Sequence, residues 1–83
     1  MLRLLTIINA AGSQGITTRK LLDTIGSHAS YTQGVIDKAA KRGYIKRVTG
    51  ESEYGHFPPV FNIITEQGRQ LLQNQQLLLL PPQ

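Results

Sequence analysis

Eighty-three residues are enough for one small domain with a modest core, so a single domain over 1–83 is expected. The chain has no cysteine, which excludes disulfides and thiolate metal sites. Its two histidines, His28 and His56, stand too isolated for a zinc site, and no cofactor or metal is expected. A net charge of +4 and a pI near 9.9 direct attention to polyanionic partners, nucleic acid before membrane.

The first stretch, "MLRLLTIINAAG", places Leu4, Leu5, Ile7, Ile8 and Ala11 at the spacing of an amphipathic helix. It is too short and too interrupted for the apolar core of a signal peptide. The apolar run Leu77–Leu80 has four residues, far below the about 20 of a membrane span. A soluble cytoplasmic protein without membrane contact is therefore expected. "GSQG", 12–15, breaks the helix, and the β-branched "ITT", 16–18, suits a minor strand.

Thr17 or Thr18 can cap a helix over 18–25, with Leu21, Leu22 and Ile25 inward and Gly26 ending it in a left-handed turn. Ser27 or Ser30 then caps a helix over 30–42. Its buried face carries Val35, Ile36, Ala39 and Thr32, and Ser30, Gln33, Gly34, Asp37, Lys38 and Lys41 fall on the opposite side. Gly43 stops it. "YIKRV", 44–48, and "VFNII", 60–64, read as two strands. About eleven residues separate them, more than the usual two to five of a hairpin, which marks the loop for a function. Thr65 caps a last helix over 65–80 with Leu71 and Leu72 inward.

The order helix, minor strand, helix, helix, two-stranded wing, C-terminal helix defines an α+β fold, mostly helical: a winged helix-turn-helix. In that architecture the helix 30–42 enters a major groove. Five of the nine basic residues lie between Lys38 and Arg47 with a single acid, Asp37, just before them. Lys38, Lys41, Arg42, Lys46 and Arg47 would meet phosphates, which supplies affinity without sequence information. A basic helix end is also what the macrodipole favours, at about 0.3–1 kcal/mol per residue. The wing and the element order tilt the balance toward binding. Ser30, Gln33 and Asp37 are candidates for base edges, and Gly34 permits close approach. His28, Thr18 and Arg19 could touch phosphate at helix starts. Tyr31 and Tyr44 each have both a core and a DNA reading. Asp37 is expected to pair with Lys41 at i, i+4. An enzyme is not expected: the acids are scattered, and neither a "G-x-S-x-G" nor a P-loop is present.

"TQGVIDKAAKRGYIKR" followed by "NIITEQGRQLL" resembles winged-helix regulators of the MarR type. That family ends its recognition helix in a charged pair plus glycine, then an apolar pair and a basic residue, here Lys41, Arg42, Gly43, Tyr44, Ile45 and Arg47. Its second wing strand runs into an "LT-x-x-G" helix start, here Ile64, Thr65, Glu66, Gln67 and Gly68. The resemblance covers roughly 15–76 and implies sequence-specific binding of double-stranded DNA, usually by a homodimer. Two features depart from the family. The wing tip, "ESEYGHFPP", offers only His56 as a cation, and no long dimerisation helix precedes the motif. A homodimer would therefore use the first and C-terminal helices, with Leu77–Leu80 buried by the partner.

The expected function is a transcriptional regulator, a repressor for want of any activation segment. The alternatives are a winged-helix protein-interaction module, favoured by the aromatic Tyr54 and Phe57 among acids, and a non-specific architectural DNA-binding protein.

Overall fold

The computed structural model describes residues 1–26, 28–51 and 58–79, with the helix path alone for 76–79. The expectations placed on Ser27 as a cap, on Tyr54, His56 and Phe57 in the wing tip, and on burial of Leu77–Leu80 lie outside the described residues. The fold is α+β and mostly helical. Among the described residues, α1 (Leu2–Ala10), β1 (Ile16–Thr17), α2 (Thr18–Ile25), α3 (Ala29–Lys41), β2 (Ile45–Thr49), β3 (Val60–Ile64) and α4 (Glu66–Leu79) follow in order. "GSQG" forms a single 3₁₀ turn over Gly12–Gln14. None of these helices is long and apolar enough to cross a membrane.

The three strands form one antiparallel sheet in the order β1-β3-β2. β3 is central, pairing Asn62 with Ile16 on one side and with Arg47 on the other. Paired residues share a sheet face, so Ile16, Asn62 and Arg47 form one row. The core gathers Leu4, Leu5 and Ile8 of α1, Ile16, Leu21, Ile36, Ala39, Ile45 and Ile64. Thr32 joins the buried face of α3, and Val35, Tyr44, Leu71 and Leu72 pack half-buried against the cluster. The apolar periodicity read from α1, α2 and α3 thus points inward as expected.

Several boundaries differ from the sequence expectation by one residue, and the ends of α3 and the start of α4 have a local hydrogen-bonding reason. α3 starts one residue early, after His28, whose carbonyl accepts from the Thr32 N–H at 3.0 Å. Ser30 therefore lies inside the helix instead of capping it. At its far end, Arg42 caps α3 and Gly43 takes φ +81°. The Gly43 N–H donates to the Ala40 carbonyl at 3.1 Å and the Tyr44 N–H to the Ala39 carbonyl at 2.9 Å. That pair of bonds is a Schellman closure, which needs the left-handed residue a glycine supplies. It engages Tyr44, so β2 begins at Ile45. Thr65 remains outside α4 as its cap, accepting from the Gly68 N–H at 3.1 Å.

α3 is held at both ends. At its N-terminal side, α2 is capped by Thr17, which accepts from the Lys20 N–H at 3.2 Å, and closed by Gly26 at φ 69°. At its C-terminal side, the Thr65 N–H donates to the Tyr44 carbonyl at 3.0 Å and Gln67 Nε2 to the Arg42 carbonyl at 3.3 Å.

Candidate nucleic-acid interface

The face of α3 opposite the core is open. Ser30, Gly34, Asp37, Lys38 and Lys41 are exposed, and Gln33 is half-buried at the edge of the stripe. Tyr31 is 71% exposed, so of its two readings the core one is excluded. A Cβ built on Gly34 would meet nothing within 4 Å among the described residues. A glycine in mid-helix costs roughly 0.5–1 kcal/mol relative to alanine. Among the described residues, nothing packed against Gly34 requires that cost. His28 and Arg19 are exposed at the starts of α3 and α2.

One polar network crosses from this stripe to the sheet. Arg47 Nη1 donates to Asp37 Oδ1 at 3.2 Å, and Arg47 Nη2 donates to Thr18 Oγ1 at 3.4 Å. Gln33 Nε2 donates to the same Asp37 Oδ1 at 3.4 Å. Asn62 Nδ2 donates to Thr18 Oγ1 at 3.0 Å and to the Ile16 carbonyl at 3.1 Å. Thr18 in turn donates to the Val60 carbonyl at 3.5 Å. A hydroxyl has one proton and two lone pairs, so these three contacts occupy Thr18 fully.

Two sequence expectations change here. Asp37 pairs with Arg47 of β2, ten residues away, and not with Lys41 one helical turn on. The tertiary contact wins because β2 runs beside α3 and aims Arg47 at the carboxylate. Thr18, expected at a phosphate, spends its hydroxyl on internal partners. The Asp37–Arg47 side chains are 59% and 30% exposed, so solvent screens the pair and its stability contribution is below about 1 kcal/mol. Its consequence is geometric: together with the Thr18 contact it joins α2, α3 and β2.

The basic residues are not one patch. Strand alternation puts Arg47 on the α3 side of the sheet, and Lys46, paired with Ile63, on the other. Lys38, Lys41 and Arg42 surround the C-terminal end of α3. Among the described residues, Arg19, Lys38, Lys41, Arg42 and Lys46 have no carboxylate partner; the two ion pairs are Asp37–Arg47 and Glu66–Arg69. Between the start of α2 and β3, Arg19 and Arg47 line an open cleft of about 480 Å³ with Thr17, Pro58 and Pro59.

Asn62 is a polar residue of the site that apolar periodicity does not mark. It is fully buried in the central strand, and its Oδ1 has no partner among the described residues. The signal was present as a lone amide inside the apolar run "VFNII", since a buried polar side chain must find hydrogen bonds. Among the described residues no three His, Asp or Glu side chains gather as metal ligands. Compared with protein-family models, with curated proteins and with solved structures, the chain matches none.

Proposed function

We propose that this chain is a double-stranded DNA-binding transcriptional regulator, a minimal winged helix of the MarR kind, with α3 as the helix that enters the major groove. The observation that carries the reading is the composition of one exposed face. Ser30, Gln33, Gly34 and Asp37 form a low polar stripe along α3. Lys38, Lys41 and Arg42 stand at its end without carboxylate partners among the described residues. Small polar groups that can reach base edges, with cations at the end of the helix, suit a groove bounded by phosphates. The short α2–α3 connection and the antiparallel β2–β3 pair agree with a helix-turn-helix followed by a wing.

The regulator would act sterically, as a repressor covering its site. A homodimer through α1 and α4 would set two half-sites about 34 Å apart, one helical turn of DNA. Solution mass measured with and without duplex tests that assembly.

Anisotropy titrations of labelled duplexes at several salt concentrations test the binding itself. Lys38→Ala and Lys41→Ala should each weaken binding to every duplex and flatten the log–log salt dependence by about 0.9 per lost phosphate contact. Wild-type protein that ignores duplexes at low salt would return the chain to the protein-interaction alternative.

A further inference from the structure

Both donors that reach the Asp37 carboxylate use the same oxygen. Arg47 Nη1 and Gln33 Nε2 converge on Oδ1, at 3.2 and 3.4 Å. Oδ2 has no partner among the described residues, and the side chain is 59% exposed on the stripe of α3. Arg47 is itself steadied, because its Nη2 donates to Thr18 Oγ1, which Asn62 grips from the buried side. The result is a carboxylate oriented from one side and presenting a bare acceptor on the other.

A lone acid facing DNA is normally a liability, since it faces the phosphate field with like charge. Here the guanidinium of Arg47 offsets that charge locally while leaving Oδ2 available. We infer that Asp37 is a specificity-determining residue that accepts a hydrogen bond from the N4 amino group of a cytosine, with Arg47 and Gln33 as its positioning residues. This rests on the DNA-binding reading of α3. The major-groove edges decide the base. Cytosine offers a donor there, whereas guanine and thymine present acceptors that repel a carboxylate. Adenine offers an amino group beside the N7 acceptor, which an amide satisfies better than a carboxylate.

The test is selection of bound duplexes from a random pool by wild type, Asp37→Ala and Asp37→Asn, followed by dissociation constants on single-base variants of the selected site. Circular dichroism confirms that each exposed-site variant keeps its helices. Wild type should require cytosine at one position, by about tenfold over thymine. Asp37→Ala should lose that preference alone, keep the rest of the consensus, and bind unrelated duplexes at least as tightly. Asp37→Asn should move the preference at that position toward adenine. An identical consensus for wild type and Asp37→Ala would overturn the role of Asp37 and leave the DNA-binding reading standing. Wild type that enriches no sequence would overturn both.

Discussion

The Thr65 hydroxyl donates to the Gly43 carbonyl at 2.6 Å and accepts from the Gly68 N–H at 3.1 Å, closing the end of α3 onto the start of α4. One side chain thus serves as helix cap and as tertiary tie, directly behind the basic segment Lys38–Arg42. Thr65→Val keeps the shape and removes both bonds. It should cost about 1–3 kcal/mol, combining a lost cap with a lost hydrogen bond to a turn carbonyl. Urea unfolding measures it, and a loss under about 0.5 kcal/mol would show that the tie is not made in solution.

Gly68 allows α4 to sit that close. A Cβ there would run into the Tyr44 carbonyl oxygen and stand 2.8 Å from Ile64 Cδ1. The carbonyl cannot retreat easily, because it accepts the Thr65 N–H at 3.0 Å. Gly68→Ala is expected to lower the unfolding free energy by roughly 1–3 kcal/mol despite the better helix propensity of alanine. A stabilised variant would mean that α4 packs further from β2.

Gly34 should respond in the opposite direction. Its side-chain space is open, so Gly34→Ala gains helix propensity and should raise stability by about 0.5–1 kcal/mol. If α3 lies in a groove, the added methyl should at the same time weaken duplex binding. Thermal melts and anisotropy on the same sample read the two signs. A variant both more stable and equally tight in binding would remove Gly34 from the contact surface.

Acid pH should act at the start of α4. The Arg69 guanidinium donates to Glu66 at 2.8 Å, and that hydrogen bond, then its charge, holds the Glu66 carboxyl below its ordinary value. A depressed folded-state value means the contribution is present above the unfolded value and is lost as pH falls through the folded one. Both side chains are well exposed, so the effect is small and fades with salt. NMR titration should place Glu66 lower in wild type than in Arg69→Ala. Equal titration in the two would show that the pair is not formed.

Local order was legible in the chain because it depends on local chemistry. The apolar spacing of Leu4, Leu5 and Ile8 and of Thr32, Ile36 and Ala39 marks helix faces, since a helix repeats every 3.6 residues wherever it packs. Gly26 and Gly43 mark helix ends because left-handed backbone there strains any other residue. The mostly helical α+β order, and the stripe Ser30–Gln33–Asp37–Lys41, open except for the half-buried Gln33 at its edge, follow from those signals.

What the sequence could not decide was partnership across the fold. Spacing alone pairs Asp37 with Lys41, one turn away; the antiparallel register of β2 on β3 brings Arg47 to it instead. Alternation along β2 sends Lys46 away from Arg47, dividing a cluster that is continuous in the chain. Thr18 and Asn62, forty-four positions apart, meet only because β1, which leads directly into Thr18, pairs with β3. Hydrogen bonds between distant residues are set by packing geometry, so only the tertiary structure decided that Arg47 joins the local donor Gln33 on Asp37 Oδ1, with Oδ2 left to face outward.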